Sequence, residues 1–275
     1  MNHKSTLIIG NGYLASRIAE KWNCPISKER INTFLDADAL IRSHKPHILI
    51  NCIGHTGKTN VDGCEAAPDK TLSANTFVPI LLAEACLRHN VKLVHISSGC
   101  IYDYNYATDR PIKETTDPLY FDLFYSRTKI YAERALEILS RKKNILIARV
   151  RIPLDNQPHP KNILTKLLAF KKIIDIPNSI SYIPDTIDAF HHLIKINATG
   201  IYNVVNKGGL RYPQLLDLYK KYVPEFSYEK INYKSLPTPR TNLILSTRKL
   251  EQSGFPVRPI KGILNECIKN YLDYS

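Results

Sequence analysis

The sequence predicts an α/β fold, a doubly wound parallel sheet that carries a smaller C-terminal lobe. Short apolar runs alternate with helical segments from the start of the chain to about residue 153, and this alternation is typical of βα units. A Gly-rich turn joins the first apolar run to the first helical segment. Farther on the alternation loosens, with no repeat and no low-complexity linker. We therefore expect a core domain over 1–153, to which about 173–205 returns, and a lobe formed mainly by 154–275.

The charge of the chain favours an anionic small molecule as its ligand. The 275 residues carry a formal net charge of +13, which attracts anions. The basic residues are spread along the sequence and form no basic helix face with interleaved aromatic side chains, so we expect no nucleic acid as a partner. No apolar run approaches the length that crosses a bilayer, and Met1–Lys4 leads directly into an apolar strand. We expect no membrane segment and no secretory leader.

The cysteines indicate the compartment. Six of them are scattered along the chain, without a Cys-x-x-Cys pair and without a Cys/His spacing that would bind a metal. Scattered cysteines in a chain of this length are typical of reduced thiols. We therefore predict a cytoplasmic protein with no metal site.

A dinucleotide-binding turn is predicted directly after the first strand. Thr6–Ile9 is a short apolar strand, and Gly10-Asn11-Gly12-Tyr13-Leu14-Ala15 follows it and opens a helix to about Trp22. In this Gly-x-Gly-x-x-Ala pattern the first glycine makes the turn, and the second lets the backbone approach a pyrophosphate at the helix N-terminus. The core domain is therefore predicted to be Rossmann-like, and the residues assigned to the cofactor here are Gly10, Gly12, Tyr13 and Leu14.

The next segment predicts the kind of cofactor. Cys24–Asn32 is short and lacks a clear acidic residue where a ribose 2′-hydroxyl would be bound. Lys28 and Arg30 supply cations where a 2′-phosphate would lie, although Glu29 stands between them in the sequence. We therefore predict NADPH as the cofactor, held in part by Lys28 and Arg30, and an NADP-binding role for the domain over 1–153.

Further strand ends supply candidate ligand contacts. A helix is predicted over Asp36–His44, a buried strand within Pro46–Gly54, a helix over Val78–His89 and a strand over Val91–Ile96. Parallel sheets bind ligands at the carboxyl ends of their strands. The residues assigned to the cofactor on this ground are Cys52, Ile53, Gly54 and Asn75. Thr56 and Asn60, in the polar loop after the strand, are assigned to a sugar.

Tyr125 and Lys129 form a candidate proton-transfer pair on a helix predicted over Tyr125–Lys143. Residues four apart project from one helix face, and a nearby ammonium favours the phenolate form of a tyrosine. Such a tyrosine is a usable acid near neutral pH. The preceding strand delivers Ser98 and Cys100 to the same edge of the sheet.

The second half of the chain is predicted to mix helices and short strands. After a strand over Ile145–Val150, Ile152 and Pro153 are assigned to the cofactor. Helices are expected over Asn162–Lys172, Pro184–Ile196, Pro213–Tyr222 and Ile260–Tyr271, and strands over Ile173–Ile176 and Ile201–Val205.

Several segments carry a resemblance to a known family. They are His95–Tyr102, Asn60–Glu65, Arg149–Pro153, Asn162–Lys172, Asp175–Ser179 and Pro239–Asn242. Together with the glycine pattern and the Tyr125/Lys129 pair, they resemble the extended short-chain dehydrogenase/reductase superfamily. Within it they are similar to the nucleotide-rhamnose synthase/epimerase-reductase group, which includes the C-terminal part of plant rhamnose synthases. The similarity covers nearly the whole chain.

The resemblance implies an activity and a role for each residue. The family converts UDP-4-keto-6-deoxyglucose to UDP-β-L-rhamnose by 3,5-epimerisation and NADPH-dependent 4-reduction. Cys100 would be the base of the epimerisation, and Lys166 would return the proton from the opposite side. Ser98 and Tyr125 would hold the C4 oxygen, with Lys129 beside them.

The same resemblance implies further contacts and partners. Asn162 and Arg240 would bind the nucleotide-sugar substrate, Arg240 through its diphosphate. The superfamily also implies a homodimer formed through the Tyr125 helix. A functional pairing with an upstream nucleotide-sugar 4,6-dehydratase is a further expectation.

Three other functions stay open at this point. A dTDP-4-dehydrorhamnose reductase would need Ser98, Tyr125 and Lys129 but no cysteine at position 100. A GDP-4-keto-6-deoxymannose epimerase-reductase would share Cys100. An NADP-binding regulatory subunit would have no chemical need for the intact set of Ser98, Tyr125 and Lys129.

Overall fold

The computed structural model describes residues 5–57, 60–140, 144–235 and 241–274, and the chain forms two compact units. Unit 1 comprises Met1–Ile101, Asp117–Arg149 and His191–Tyr202. Unit 2 comprises Tyr102–Thr116, Val150–Phe190 and Asn203–Ser275. Each unit is therefore assembled from separate stretches of the chain.

The first half of the chain alternates strands and helices. Its elements are β1 (Thr6–Ile9), α1 (Tyr13–Trp22), β2 (Ile26–Ser27), α2 (Phe34–His44), β3 (Ile48–Asn51), α3 (Pro68–Leu72), α4 (Val78–Arg88), β4 (Lys92–Ser98), α5 (Phe124–Ser140) and β5 (Ile145–Val150). A 3-10 turn over Val61–Cys64 precedes α3, and a π-helical turn over Ser73–Phe77 joins α3 to α4.

The second half has shorter elements. They are β6 (Pro153–Leu154), α6 (Ile163–Leu168), β7 (Lys172–Ile174), β8 (Pro177–Asn178), β9 (Ser181–Tyr182), α7 (Ile183–Lys195), β10 (Gly200–Asn203), β11 (Leu210–Arg211), α8 (Tyr212–Lys220), β12 (Glu229–Ile231), α9 (Arg248–Gln252) and α10 (Ile260–Asp273). A 3-10 turn over Tyr233–Ser235 follows β12.

A six-stranded sheet in the order β10-β5-β4-β3-β1-β2 forms the centre of unit 1. β1 pairs in parallel with β2 and with β3, and β3 pairs in parallel with β4. The register places Ile50 opposite both Ile8 and Val94. Because the paired strands run the same way, their carboxyl ends lie at one edge of the sheet, which is where parallel sheets bind ligands.

Apolar side chains from strands and helices form the core of unit 1. All four residues of β1 and of β3 are buried, as expected for parallel strands that are covered on both faces. The helices that cover the sheet contribute the buried residues Leu40, Ile41, Leu82, Ala83 and Leu136. Each fully buried leucine or isoleucine stabilises the fold by about 1.5–3 kcal/mol.

Helix α2 illustrates how the local sequence fixes an element. Thr33 caps it, because its Oγ1 accepts a hydrogen bond from the backbone nitrogen of Asp36 while the Asp36 carboxylate accepts one from the backbone nitrogen of Thr33. Ala37, Leu40 and Ile41 of this helix point to the core, and the C-cap Lys45 has a left-handed φ of 45° that ends it.

Unit 2 is held together by a second apolar core and by two-stranded pairings. β6 pairs with β9 and β7 with β12 in parallel, whereas β8 pairs with β11 in antiparallel orientation. The core draws on α6, α8 and α10, and its buried members include Leu164, Leu167, Leu215, Leu216, Ile263 and Ile268. Short strands of this kind anchor the connections around a helical cluster.

Several predicted elements differ from the structure in their bounds. The helix predicted over Tyr125–Lys143 is seen through Ser140, and 141–143 lie outside the described residues. The strands predicted over Ile173–Ile176 and Ile201–Val205 are Lys172–Ile174 and Gly200–Asn203. The helix expected over Asn162–Lys172 ends at Leu168, and Lys172 begins β7, because this residue and the two isoleucines after it pair with β12. The fourth strand is longer than expected, since β4 extends through Ser98. The α/β fold with its central parallel sheet is confirmed. In the part of the chain that the structure describes, no helix combines the length and the apolar character needed to cross a membrane.

Candidate active site

The turn between β1 and α1 is shaped for the close approach of a ligand. Gly10 has a φ of +101°, and a Cβ there would lie 2.9 Å from the backbone nitrogen of Ile53, so the position requires glycine. At Gly12, the N-cap of α1, an added Cβ would meet no atom within 4 Å. Tyr13 and Leu14 form the first turn of this ten-residue helix, whose N-terminal N–H groups carry no side-chain cap. Such a helix start attracts an anion.

The end of β2 presents two cations. Lys28 and Arg30 are both exposed. The carboxylate of Glu29 lies 3.1 Å from Nε2 of His44, at the end of α2, and the backbone nitrogen of Glu29 donates to Ser27 Oγ. Glu29 is therefore engaged by His44, and the position where an acid would bind a ribose hydroxyl is occupied by the small buried Ser27.

A buried amide clamps the loop that follows β3. Oδ1 of Asn75 accepts a hydrogen bond of 2.8 Å from the backbone nitrogen of His55, and its Nδ2 donates to the oxygen of His55 and to Oγ1 of Thr128. Asn75 lies in the π-helical turn, a helix irregularity that is frequent at functional sites. Both amide hydrogens are thus used inside unit 1. The residue that the sequence assigned to the cofactor holds the strand-end loop in place.

The residues next to this clamp bring the end of β3 close to Lys129. Gly54 is exposed, and a Cβ there would lie 3.5 Å from Asn75 Oδ1 and 3.7 Å from Lys129 Nζ. Cys52 and Ile53, both half-buried, are fixed by backbone hydrogen bonds to Ile9 and to the side chain of Asn51. Of the three residues assigned to the cofactor here, Gly54 and Cys52 therefore lie near Lys129.

Ser98 and Cys100 are tied to each other and to the start of α5. Ser98 is the last residue of β4, and its Oγ accepts a hydrogen bond of 3.1 Å from the backbone nitrogen of Cys100. The backbone oxygen of Cys100 in turn accepts a hydrogen bond of 2.5 Å from Oγ of Ser126. Because Ser98 Oγ acts as an acceptor in this bond, its hydroxyl hydrogen can be donated to another oxygen.

Tyr125 and Lys129 lie on one face at the start of α5, as the sequence predicted. The helix begins at Phe124, whose N–H donates to the carboxylate of Glu65 at 2.8 Å, an arrangement that favours a helix N-terminus. Both Tyr125 and Lys129 are buried, and Lys129 Nζ lies 3.4 Å from the backbone oxygen of Ile96 on β4. The structure therefore brings this helix face against the strand that carries Ser98.

The charge of Lys129 is set by opposing influences. Burial lowers the pKa of Lys129 to about 8, and the neighbouring Glu133 carboxylate raises it in part. Below a pH of about 8 the side chain is therefore mostly an ammonium. A cation one turn from a phenol favours proton release from that phenol. At this edge of unit 1, a hydroxyl, a phenol, an ammonium and a thiol are thus assembled, a set suited to binding a carbonyl oxygen and moving protons around it.

Two of the predicted substrate residues lie in unit 2, at α6. Lys166 is half-buried on this helix, and burial together with the nearby Lys161 charge lowers the pKa of its amine. Asn162 is fully buried and caps the helix through a bond from the Leu164 nitrogen to its Oδ1. Its Nδ2 donates to the backbone oxygens of Asp155 and Gln157. In the structure Asn162 fixes the helix that carries Lys166, and its contact with the substrate stays a prediction.

Ile152, assigned to the cofactor, has an unusual backbone. Its φ is +38°, which is a rare value for a β-branched residue and costs about 1–3 kcal/mol. Hydrogen bonds between Ser181 and Arg151 hold the segment, and Pro153 then pairs with Ser181 at the start of β6. Strain of this kind is common where a backbone is shaped for a ligand.

The remaining predicted contacts lie in loops. Thr56 is half-buried in the loop after β3. Asn60 is exposed and caps the 3-10 turn through a bond from the Asp62 nitrogen to its Oδ1. Arg240, predicted to bind a diphosphate, lies outside the residues that the structure describes. Among the described residues no group of three or more His, Cys, Asp or Glu side chains could hold a metal ion.

Sequence reasoning missed a buried polar layer beneath the site. Glu133 forms an ion pair with Arg149 on β5, and it also accepts a hydrogen bond from Ser97. His95 is fully buried on β4, and its pKa is lowered well below the usual value by burial and by the charge of Lys129. The signal for Glu133 was its spacing of four from Lys129, which places it on the same helix face.

The parallel sheet, the Gly-rich turn and the Ser98, Tyr125 and Lys129 set define a protein of the short-chain dehydrogenase/reductase type. A comparison with protein families narrows this class. The family model described as the RmlD substrate binding domain matches residues 16–174, and the chain belongs to this family. The resemblance stated from the sequence is thereby confirmed.

Curated relatives include enzymes of two nucleotide sugars. The chain is 31% identical over 265 residues to a trifunctional UDP-glucose 4,6-dehydratase/UDP-4-keto-6-deoxy-D-glucose 3,5-epimerase/UDP-4-keto-L-rhamnose-reductase of Arabidopsis thaliana. That match covers 92% of this chain but only 40% of the relative. The chain is 32% identical to a bifunctional dTDP-4-dehydrorhamnose 3,5-epimerase/dTDP-4-dehydrorhamnose reductase of the same plant, covering 78% of this chain and 74% of the relative.

Solved structures share the fold. A UDP-rhamnose synthase from Acanthamoeba polyphaga mimivirus superposes with a TM-score of 0.90 at 22% identity, covering 97% of this chain and 99% of that one. A dTDP-4-dehydrorhamnose reductase from Bacillus anthracis in complex with NADP gives a TM-score of 0.82 at 19% identity, covering 99% and 100%. At these identities the likeness concerns the fold.

Proposed function

We propose that this protein is a bifunctional 3,5-epimerase/4-reductase that converts UDP-4-keto-6-deoxyglucose to UDP-β-L-rhamnose with NADPH. The observation that carries the proposal is the linked set at the end of β4, in which Cys100 is bonded to Ser98 and to the start of the Tyr125 helix. A reductase needs the hydroxyl, the phenol and the lysine. The thiol held beside them adds a group that can take a proton from carbon.

The epimerisation step uses the acidity that a ketone confers on its neighbours. A carbonyl at C4 makes the hydrogens at C3 and C5 acidic, so each inversion needs a base on one face and an acid on the other. In our proposal the thiolate of Cys100 removes each proton, and Lys166 returns one to the opposite face of the sugar. The lowered pKa of Lys166 suits this role, because its ammonium gives up a proton more readily than an ordinary lysine does.

The negative charge that develops on the C4 oxygen needs donors. Ser98 donates the hydroxyl hydrogen that its bond to Cys100 leaves available, and Tyr125 donates its phenol hydrogen. In the reduction, Tyr125 transfers that proton to the oxygen, so that the ketone becomes a hydroxyl. Lys129, mostly an ammonium at neutral pH, stabilises the phenolate that remains.

NADPH supplies the hydride of the reduction when it is bound. The residues present fit this cofactor at three points. The open space at Gly12 and the uncapped start of α1 suit a pyrophosphate, and the exposed Lys28 and Arg30 suit a 2′-phosphate. The exposed Gly54 beside Lys129 leaves room for the nicotinamide ribose. We assign the cofactor mainly to unit 1 and the nucleotide sugar mainly to unit 2.

Three candidate substrates separate the proposal from its closest alternatives. The purified protein would be incubated with NADPH and, in turn, with the UDP, dTDP and GDP forms of the appropriate 4-keto-6-deoxy sugar, and both NADPH oxidation and the product sugar would be measured. We expect turnover with the UDP sugar to exceed that with the others. Preference for the dTDP sugar would favour the activity of the second plant relative, and no oxidation with any of them would refute the enzyme assignment.

The proposed activity also implies an enzyme that produces the keto-sugar substrate. The trifunctional plant relative carries a 4,6-dehydratase in the same chain, and this chain spans 40% of that relative. We propose a functional pairing with an upstream nucleotide-sugar 4,6-dehydratase, which supplies the keto sugar. The homodimer and the cytoplasmic location stay predictions from the sequence.

A further inference from the structure

A buried ion pair joins three elements directly beneath the reducing residues. The carboxylate of Glu133, on α5, receives bonds of 3.1 and 2.9 Å from Arg149 Nε and one of 2.6 Å from Arg149 Nη2, on β5. Oγ of Ser97, on β4, donates to the same carboxylate at 2.5 Å. The side chains of Glu133 and Arg149 are only 2% and 1% exposed.

Stability alone gives no reason for such a pair. Removing two charges from water costs several kcal/mol per ion, and a well-packed apolar replacement is often neutral or stabilising by about 1–4 kcal/mol. The location of the pair, next to the proposed catalytic residues, gives a functional reason for it. Glu133 lies one turn beyond Lys129 and two turns beyond Tyr125 on the same helix face, and its partner Ser97 directly precedes Ser98.

We propose that Glu133 is a positioning residue that sets the distance of Ser98 from Tyr125 and Lys129 by clamping β4 and β5 to α5. The inference rests on the proposed function for its catalytic consequence. It assigns to Glu133 no contact with substrate or cofactor.

Electrostatics adds a second consequence of the same contact. The groups that act on Lys129 come from three places: Glu133 on its own helix, Cys52 after β3 and Cys64 in the 3-10 turn. His95 on β4 faces Lys129 as well, and the charge of Lys129 lowers the pKa of that imidazole. Burial lowers the pKa of Lys129, and the carboxylate of Glu133 raises this pKa in part. Without Glu133 the ammonium would be lost at a lower pH.

The test replaces the whole polar layer by apolar residues of similar size. In the triple variant Ser97→Ala, Glu133→Leu, Arg149→Met the carboxylate, the guanidinium and the hydroxyl of this layer are removed together, so the melting temperature should stay within a few degrees of the wild type. We expect kcat of the reduction to fall at least tenfold while KM changes less than twofold, and the alkaline limb of the kcat profile to move to lower pH. The matched control is the exposed pair on α4, in the variant Glu84→Leu, Arg88→Met. It should leave the melting temperature, kcat, KM and the alkaline limb unchanged.

Two further measurements keep the inference testable whatever the first variant does. Ser97→Ala alone leaves the ion pair in place, and it should lower kcat severalfold in a fully folded protein. Amide hydrogen exchange of residues 97–101 should become faster in either variant, and this readout does not depend on any substrate. A folded variant with normal kcat, or normal exchange in 97–101, would overturn the inference. If the wild type turned over no nucleotide sugar, the proposed function would fail, and the exchange experiment would still decide the positioning role.

Discussion

The hydroxyl of Ser126 donates a hydrogen bond of 2.5 Å to the backbone carbonyl of Cys100. The two residues are 26 positions apart in the sequence, and Ser126 is the neighbour of Tyr125. This hydrogen bond connects Cys100, which we assign to epimerisation, with the helix turn that carries Tyr125, the proposed proton donor of the reduction. The two chemistries therefore share one structural support in unit 1.

Removing this bond should affect epimerisation first. In Ser126→Ala the turn over Gly99–Cys100 loses its tie to α5, at a cost of about 1 kcal/mol. We expect solvent deuterium incorporation into the keto sugar to slow by about tenfold. Reduction of an already epimerised sugar should change less. Ser140→Ala is the matched control, because its hydroxyl bonds to Glu137 at the far end of the same helix. Equal losses in both reactions would count against separate roles.

Tyr125→Phe tests the proton donor. The substitution removes one hydroxyl from a buried side chain and should lower kcat of the reduction by about 10²–10⁴-fold, the usual contribution of general acid catalysis. NADPH binding should persist. Tyr131→Phe, on the exposed face of the same helix, should behave as the wild type. Near-normal NADPH oxidation by Tyr125→Phe would remove this residue from the mechanism.

Gly12→Ala tests where the cofactor lies. A methyl group at Gly12 meets no protein atom within 4 Å, so the fold should tolerate it and the melting temperature should hold. If the pyrophosphate occupies that space, NADPH should bind about tenfold more weakly, a loss of ~1.4 kcal/mol. Gly262→Ala on α10, also without a neighbour within 4 Å, should change neither quantity. Unchanged NADPH affinity of Gly12→Ala would mean that the pyrophosphate binds elsewhere.

The pH profile of epimerisation should depend on Lys161. Burial and the charge of Lys161 lower the pKa of Lys166, so the ammonium that returns the proton is lost at a lower pH than in an ordinary lysine. Lys161→Met removes one of these causes and should therefore move the alkaline limb of deuterium exchange to higher pH. The exposed Lys171→Met serves as the control. If the alkaline limb of the deuterium-exchange profile stayed in place in Lys161→Met, or moved to lower pH, the result would contradict the role of Lys166 as the proton donor of the epimerisation.

The sequence was most informative where a function rests on local pattern. The strand, Gly-x-Gly turn and helix at the N-terminus are contiguous, and the four-residue spacing of Tyr125 and Lys129 needs only a helix to bring them to one face. The strand predicted over Ile173–Ile176 overlaps β7 of unit 2. The other short strands of this unit were not predicted, because two or three residues such as Pro153–Leu154 show no periodicity.

The buried polar layer around Glu133 and Arg149 was not predicted from the sequence, for a different reason. Glu133 and Arg149, or Asn75 and Thr128, become partners only when the sheet has formed, since they are 16 and 53 positions apart. Asn162 illustrates the same limit, because its side chain could be recognised as a helix cap only once α6 was seen to begin directly after it.

The central claim is that Cys100 makes this reductase an epimerase. The most direct test is the position of deuterium in the sugar that the wild type and Cys100→Ala each form in D₂O with NADPH and UDP-4-keto-6-deoxyglucose, read by NMR. Cys86→Ala, at a thiol buried in the core of unit 1, is the control. We predict that the wild type and the control release rhamnose labelled at both C3 and C5, and that Cys100→Ala incorporates no deuterium at either carbon although it still binds NADPH. Full labelling at both carbons by Cys100→Ala would contradict the account.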